Sequence, residues 1–206
     1  MYFKTAACQA QAELTVKRSR FIGHIAPVPD RERAFAYIEG VRQRHRDARH
    51  NVYAFRLMDG PYEKYSDDGE PQGTAGQPVL EVLAKEGMTD CAVVVTRYFG
   101  GVLLGTGGLS RAYAQAAKAA LDAAGVIVMK ACAVYTLSCD YACFERIASL
   151  ARDSGWPVTD VRYADVVTAR VSVWSDETQV FENAVLSIGA GRADFARVEE
   201  SFAPQK

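Results

Sequence analysis

The sequence predicts an α+β protein built from two domains. Its length of 206 residues suits either one large domain or two small ones, so length alone leaves the number of domains open. Before residue 130, segments with strand patterns alternate with segments with helix patterns. From Tyr135 the pattern resets and runs in the order βαββαβ, which is typical of a ferredoxin-like domain. The domain boundary is therefore predicted between residues 132 and 133.

The first elements are predicted from proline, cap and periodicity signals. Residues 20–26 form a strand pattern that Pro27 stops. Asp30 suits the N-cap of a helix that continues to about His45, with apolar residues at helical spacing. Residues 51–58 are rich in β-branched and aromatic side chains and predict a second strand.

A long loop and a short helix are predicted next. Residues 59–75 contain several glycines and prolines among acidic residues, which predicts no regular structure there. Long ordered loops in compact domains tend to be functional. Pro78 suits the first turn of a helix that ends at Gly87.

The rest of the first domain is predicted as strand, helix and strand. Residues 90–99 form the most hydrophobic strand, which we expect at the centre of the sheet. A helix over residues 109–124 is rich in alanine, so it can pack closely against a sheet or another helix. Gly125 ends this helix, because glycine tolerates the left-handed conformation after a helix. Residues 126–129 return as a strand.

The second domain carries no strong chemical motif, so we expect it to serve recognition or support. Asp140 is the predicted N-cap of its first helix, which ends at Gly155. The other predicted elements are strands at 135–139, 157–163, 166–174 and 193–199, and a helix at 177–188.

The composition is that of a globular protein, with 49% hydrophobic and 24% charged residues. The longest central apolar run, Cys91–Val95, is far too short to cross a bilayer, and the N-terminus lacks a signal-peptide pattern. Five cysteines without a CxxC pair argue against a secreted disulfide framework. We therefore expect a cytoplasmic protein with no membrane partner and no cofactor.

The net charge of −1 conceals a difference between the two halves. Residues 1–130 carry 17 Lys and Arg against 14 Asp and Glu, and the remaining residues carry 7 against 11. A basic cluster in the first half indicates an anionic partner such as nucleic acid, or simply a solvated helix end. Its members are Arg42, Arg44, Arg46 and Arg49.

Several motifs together resemble the YigZ/IMPACT family, in its bacterial type with a C-terminal ferredoxin-like domain. They are SRFI from Ser19, ARHNVYAF from Ala48, YSDDGEPQGTAGQP from Tyr65 and TRYFGGVLLGTGGLSR from Thr96. The resemblance implies that the first domain is a two-layer α/β sandwich similar to the second domain of ribosomal protein S5. Eukaryotic members regulate translation, so the resemblance also implies a role of that kind. It transfers no catalytic residue.

The glycine segment of the last motif has two interpretations. Glycines before a helix leave unpaired N–H groups at the positive helix end, which suits a phosphate. Arg97, Ser110 and Arg111 are placed to add hydrogen bonds. The alternative is a tight crossover that lets the helix pack closely on the sheet. The glycines are Gly100, Gly101, Gly105, Gly107 and Gly108.

The acidic segment also has alternative interpretations. Its carboxylates suit a hard cation such as Mg²⁺, an acid–base pair, or a network of turns and ion pairs. The ligand spacing of an EF-hand is missing, and we assign no metal site. His50 begins a strand that can face the same surface. With His50, the candidate ligand-binding residues of this region are Asp67, Asp68, Glu70 and Thr74.

Three functional hypotheses follow from these features. The first is a non-enzymatic nucleic-acid- or ribosome-binding protein with a role in regulating translation, supported by the basic cluster and exposed aromatic candidates such as Tyr53, Tyr62, Tyr65 and Tyr98. The second is an enzyme or sensor that binds a small phosphorylated ligand or nucleotide with a divalent metal. The third is a protein–protein regulator. No catalytic residue is assigned.

Overall fold

The computed structural model describes residues 1–60 and 62–205. Its contacts divide the chain into two compact units, Phe3–Ile127 and a unit formed by Met1–Tyr2 with the chain from Val128 onward. The strands of the first part of the chain are β1 (Tyr2–Ala6), β2 (Ala10–Val16), β3 (Ser19–Pro27), β4 (His50–Leu57), β5 (Tyr62–Ser66) and β6 (Cys91–Tyr98), and its helices are α1 (Arg31–Arg44), α2 (Gly76–Lys85) and α3 (Thr106–Ala124).

The sheet of the N-terminal unit has the strand order β2-β3-β6-β4-β5, with every neighbouring pair antiparallel. The predicted central position of the hydrophobic strand β6 is confirmed. Its residues alternate between the two faces, since Val93 and Val95 belong to one core cluster and Ala92 and Val94 to another. Both faces of β6 are therefore covered, which explains why its sequence is apolar throughout.

Helices cover both faces of this sheet. Helix α1 buries Ala34, Ile38 and Val41 against one face. Helices α2 and α3 pack on the other face, where a Cβ atom added to Gly23 of β3 would lie 2.2 Å from the carbonyl oxygen of Ala116. The alanine-rich helix thus packs directly on the sheet, and α1 adds a third layer to the two that were expected.

The region predicted as an irregular loop contains the strand β5. This strand pairs with β4 at the sheet edge, from Leu57–Tyr62 to Tyr53–Ser66. The prediction of no regular structure over residues 59–75 is wrong for Tyr62–Ser66. These residues form a strand because they pair with β4, a contact that the local sequence pattern does not show. An ion pair between Arg56 Nε and Glu63 Oε1, at 2.6 Å, spans the two strands.

The C-terminal unit has the predicted ferredoxin-like layout. Four strands of its five-stranded sheet lie in the order β10-β7-β9-β8, so the first and last strands of the βαββαβ pattern, β7 and β10, are paired, as in a split βαβ fold. Asp140 caps the first helix by accepting a hydrogen bond from the Cys143 backbone N–H at 2.7 Å. The elements are β7 (Val126–Cys139), α4 (Tyr141–Asp153), β8 (Val158–Tyr163), β9 (Val167–Trp174), α5 (Thr178–Gly189) and β10 (Ala193–Pro204).

The two short strands predicted at 126–129 and 135–139 are one continuous strand, β7. The intervening residues contain neither glycine nor proline, so nothing in their backbone interrupts the strand. The boundary predicted between residues 132 and 133 falls within β7.

Candidate functional site

Asp67 of the acidic segment holds the start of α2. Its Oδ1 accepts hydrogen bonds from the backbone N–H groups of Ala75 at 3.0 Å and Gly76 at 2.8 Å, and its Oδ2 accepts one from Gly73 at 2.9 Å. A carboxylate at the positive end of a helix is favourable. Thr74 lies within the same turn and donates its hydroxyl to the carbonyl of Pro71 at 2.6 Å. Both residues therefore have structural partners.

Asp68 connects the acidic segment to α1 and β4. Its Oδ1 accepts a hydrogen bond from Arg42 at 3.0 Å, and its Oδ2 accepts one from the Asn51 backbone N–H at 2.6 Å. Its backbone adopts a φ of 45°, which brings its carbonyl within 2.7 Å of His50 Nδ1. A carbonyl oxygen only accepts, so Nδ1 of His50 carries a proton and donates it to this carbonyl.

Glu70 forms the buried centre of the site. Its Oε1 contacts Arg97 Nη1 at 2.5 Å and accepts a hydrogen bond from the Tyr113 hydroxyl at 2.8 Å. His50 Nε2 lies 3.9 Å from the same oxygen. The side chains of Glu70 and Arg97 are 5% and 6% exposed, so this ion pair is shielded from water. Burial, reinforced by the Glu70 carboxylate, raises the pKa of Tyr113, which therefore stays a neutral donor.

Arg97 is committed to internal contacts. Its Nη2 donates to Ser19 Oγ at 3.4 Å, and its guanidinium lies over the rings of Phe21 and Phe99. Arg97 was expected to add hydrogen bonds to an anion; in the structure its charge is neutralised by Glu70, and binding of an anion by Arg97 stays a prediction. Its Nε is buried and has no hydrogen-bond partner among the described residues.

The glycine segment combines close packing at Gly100 with an uncapped helix start after Gly105. Gly100 serves close packing, since an added Cβ would lie 2.0 Å from the Arg18 backbone, and its N–H donates to Ser19 Oγ at 3.2 Å. Gly101 and Gly105 have φ of 82° and 71°. Helix α3 begins directly after Gly105, and within the described residues no side chain caps it. Its N-terminal end is therefore open.

The first backbone N–H groups of α3 are free hydrogen-bond donors. Those of Thr106, Gly107 and Gly108 make no hydrogen bond to any part of the chain that the structure describes. Gly107 has no atom within 4 Å of an added Cβ, and Gly108 contacts Leu104. Leu104 packs against the core, whereas Leu103 is 81% exposed.

A cleft of about 350 Å³, here called the α3 cleft, brings the acidic and glycine segments together. Its walls combine one carboxylate, one imidazole, two guanidinium groups, exposed apolar side chains and the start of α3. The residues used below are Arg49, His50, Glu70, Arg97, Phe99, Leu103, Gly105 and Thr106.

Two predicted residues lie on a different groove. Ser110 and Arg111 line it with residues of α2 such as Gln77 and Glu81. Ser110 donates its hydroxyl to the Thr106 carbonyl at 3.2 Å, as is common within helices. Of the three residues expected to add hydrogen bonds beside the glycines, Ser110 and Arg111 thus line the groove between α2 and α3, and Arg97 is buried.

The four basic candidates differ in their surroundings. Arg42 is paired with Asp68, whereas Arg44, Arg46 and Arg49 are exposed and form no ion pair with the described residues. We call these three the arginine cluster. Arg46 lines a cavity of about 620 Å³ next to Asp68. Arg49 lies 5.9 Å over the ring of Phe99 in the α3 cleft.

The aromatic candidates are mostly not free platforms. Tyr53 is 7% exposed and stacks on Phe55, so its expected exposure is wrong. Tyr62 also packs against Phe55, and Tyr98 is hydrogen-bonded to His45 and Asp47. Tyr65 is 42% exposed.

Metal and thiol chemistry finds little support in the described residues. They contain no group of three or more His, Cys, Asp or Glu side chains arranged to hold a metal ion. Their cysteines are free thiols, and burial raises the pKa of Cys91 and Cys139 to about 12. A thiol with such a pKa is a poor nucleophile and metal ligand near neutral pH.

Two residues of the buried centre were not among the candidates predicted from the sequence. Ser19 connects Arg97 to Gly100, and Tyr113 donates to Glu70. Ser19 lies inside a quoted motif and Tyr113 lies two residues after one, and this proximity was the available signal. Their partners are more than 40 positions away, so local spacing gave no reason to connect them.

The site lies on a unit whose sheet has helices on both faces, followed by a ferredoxin-like unit. Within the described chain, no helix combines the length and the apolar character needed to span a membrane. The class is thus a two-domain α+β protein with a cleft at the start of α3.

Comparison with known proteins identifies the family. The Impact N-terminal domain matches residues 17–121, and a domain of unknown function (DUF1949) matches residues 137–192. The IMPACT family member YvyE of Bacillus subtilis is 35% identical over 92% of this chain and 88% of its own. The family member YigZ of Escherichia coli is 34% identical over 90% and 92%. This chain belongs to the IMPACT family.

A solved structure has a similar two-domain fold. It is described only as that of a hypothetical protein, and it is 32% identical in sequence. It covers 96% of this chain and 98% of its own, with a TM-score of 0.64. The family resemblance read from the motifs is confirmed by these comparisons.

Proposed function

We propose that this protein is a non-enzymatic RNA- or ribosome-binding protein with a role in regulating translation. The arginine cluster is the observation that carries the proposal. Its three guanidinium groups are exposed and unpaired among the described residues, and Arg49 leads into the α3 cleft. Unpaired basic side chains beside free backbone N–H groups suit a chain of phosphates.

The link to translation rests on membership of the IMPACT family, whose eukaryotic members are expected to act there. The internal roles of Asp67, Asp68 and Arg97 also favour binding over catalysis, since each has structural partners. The open end of α3 favours a second candidate, the binding of a small phosphorylated ligand.

A salt-dependent binding assay tests the proposal. We expect structured RNA to be retained at about 50 mM salt and to bind at least tenfold more weakly at about 200 mM, because phosphate contacts release counterions. The triple variant Arg44→Gln, Arg46→Gln, Arg49→Gln lowers the slope of log affinity against log salt by about 2 to 3.

The matched control is Arg33→Gln. Arg33 is an exposed residue of α1. It is separated from Arg44, at the end of the same helix, by 11 positions, which corresponds to roughly 16 Å. We expect this variant to bind like the parent protein. Absence of RNA binding at low salt, or an equal loss in the control and the triple variant, would refute the proposed function. Co-sedimentation with ribosomes then separates ribosomal RNA from other RNA.

A further inference from the structure

The C-terminal unit contains a cleft of about 760 Å³ between helix α4 and the edge strand β8, here called the α4–β8 cleft. Its walls are mainly apolar, and every residue that lines it belongs to this unit. The volume lies within the range of small-molecule sites, which are mostly apolar and carry a few polar groups that orient the ligand. The apolar walls include Phe144 and Ala148 of α4, Val158 and Val161 of β8, and the tryptophans Trp156 and Trp174.

Among the described residues that line this cleft, Arg152 is the one that carries a charge. It lies in the last turn of α4, where its side chain is exposed and forms no ion pair or hydrogen bond with the described residues. The backbone carbonyls of this turn already accept hydrogen bonds from the N–H groups of residues 154–156. The guanidinium is therefore available to an anion at the rim of an apolar cleft.

These walls and this charge are complementary to a molecule with an apolar body and a single carboxylate. The apolar body leaves water for the lining side chains, which contributes free energy in proportion to the apolar area buried. The carboxylate stays at the exposed guanidinium, so it keeps a cationic partner and avoids the cost of burying an unpaired charge. A neutral apolar molecule gains only the first contribution, and a polyanion gains only the second.

The backbone of β8 is poorly suited to an extended peptide, which would pair with the free side of this edge strand. Asp160 has a φ of 52°, and the register with β9 shifts between Thr159 and Arg162. A bulge of this kind twists an edge strand and interrupts the row of N–H and C=O groups that a peptide needs. Strand addition by a second copy of this chain is disfavoured for the same reason. The observations therefore favour a small molecule.

We propose that the α4–β8 cleft binds a medium-chain fatty acid. The alkyl chain lies between α4 and β8 against the two tryptophans, and the carboxylate accepts hydrogen bonds from the guanidinium of Arg152. This inference goes beyond the proposed RNA-binding function and does not depend on it, because the arginine cluster lies in the N-terminal unit and the α4–β8 cleft in the C-terminal unit.

Quenching of tryptophan fluorescence by ω-bromodecanoate tests the proposal on the full chain. Both tryptophans of the sequence, Trp156 and Trp174, line the cleft, and bromine at the end of the alkyl chain quenches an indole on contact. We expect saturable quenching that decanoate reverses by competition. Octanoate should compete about tenfold less well than decanoate, because two fewer methylene groups are buried. Octanol should compete about fivefold less well than octanoate, because it lacks the ion pair with Arg152.

Three variants test the assigned walls and charge. Arg152→Gln should weaken decanoate binding about fivefold and leave octanol binding unchanged. The matched control is Arg146→Gln, an exposed arginine of the same helix outside the cleft, which should bind like the parent protein. Ala148→Leu places a larger side chain in the cleft and should weaken decanoate binding at least about tenfold. Alanine and leucine both favour helices, so α4 should be retained, which circular dichroism checks.

Several outcomes would overturn the proposal. The first is the absence of quenching by ω-bromodecanoate up to about 1 mM, which corresponds to a binding free energy weaker than about −4 kcal/mol. The second is equal competition by octanoate and octanol, or an equal loss of affinity in Arg152→Gln and Arg146→Gln. A third is self-association of the chain that persists in decanoate without any quenching, which would show that a second copy covers the cleft. The comparison of ligands on the parent protein stands even if Ala148→Leu fails to fold.

Discussion

Replacing Arg97 by methionine should strongly destabilise the N-terminal unit. The guanidinium lies 2.5 Å from Glu70 Oε1, and the two side chains are 6% and 5% exposed. Methionine has a similar length but no charge, so the variant leaves a buried carboxylate without its partner. Breaking a buried ion pair in this way costs about 3–5 kcal/mol. The exposed pair Arg20–Glu13 is the matched control, and Arg20→Met should cost less than about 1 kcal/mol.

Urea unfolding followed by two probes measures this effect. Both tryptophans, Trp156 and Trp174, lie in the C-terminal unit, so their fluorescence reports that unit, whereas far-ultraviolet circular dichroism reports both units. With a slope of about 2 kcal/mol per molar urea, a loss of 4 kcal/mol moves the midpoint of the N-terminal unit by about 2 M. The fluorescence midpoint should stay unchanged, and a shift of equal size in both signals would contradict the assignment of the effect.

A second substitution tests whether the orphaned charge is the cause. Glu70→Gln in the Arg97→Met background removes that charge and keeps an acceptor for Tyr113. We expect the double variant to recover about 2 kcal/mol relative to Arg97→Met, because neighbouring residues in one network are not additive. Additive losses, or a cost of Arg97→Met below about 1 kcal/mol, would refute the reasoning.

Three further predictions concern His24, Asp67 and Gly100. Burial lowers the pKa of His24 from 6.5 to about 4. The free energy of unfolding should therefore be highest above pH 6.5 and should fall by about 3 kcal/mol as the pH decreases towards 4, because the unfolded chain binds the proton more readily. His24→Leu should remove this part of the acid sensitivity in urea titrations at several pH values. Asp67→Ala should cost about 3 kcal/mol in the same assay, since three backbone N–H groups lose their acceptor; a cost near zero would show that water replaces it. Gly100→Ala should lower the free energy of unfolding by about 3 kcal/mol, and with it the thermal midpoint, because the added Cβ meets the Arg18 backbone. Gly107→Ala, where the added Cβ meets nothing, should stabilise the protein by about 0.5 kcal/mol. Similar effects of the two variants would contradict the packing argument.

Elements with strong local signals were predictable from the sequence. The N-caps Asp30 and Asp140 and the helices that follow them are present, because a capping side chain acts on N–H groups only two or three residues away. The central strand β6 was recognisable because both of its faces are buried. The hairpin between β2 and β3 carried no such signal. Its turn residues, Lys17 and Arg18, have φ of 45° and 70°, where glycine or asparagine is usual.

The site was predictable as a set of segments but not as a set of contacts. The motifs pointed to the acidic and glycine segments, and the α3 cleft includes residues of both. The partner of each charge was not predictable, because Arg97 pairs with Glu70 across 27 positions rather than facing solvent. Tertiary packing decides whether an arginine is buried in an ion pair or exposed to solvent, and residue type alone does not predict which of the two occurs.

The acidic segment fastens three helices at once. Asp67 binds the start of α2, Asp68 binds Arg42 of α1, and Glu70 binds Tyr113 of α3, although α1 lies on the opposite face of the sheet from the other two. A single protease cut within this segment would therefore weaken the attachment of all three helices at once. Amide hydrogens in α1, α2 and α3 should then exchange through one shared opening, with no helix of this unit detaching by itself.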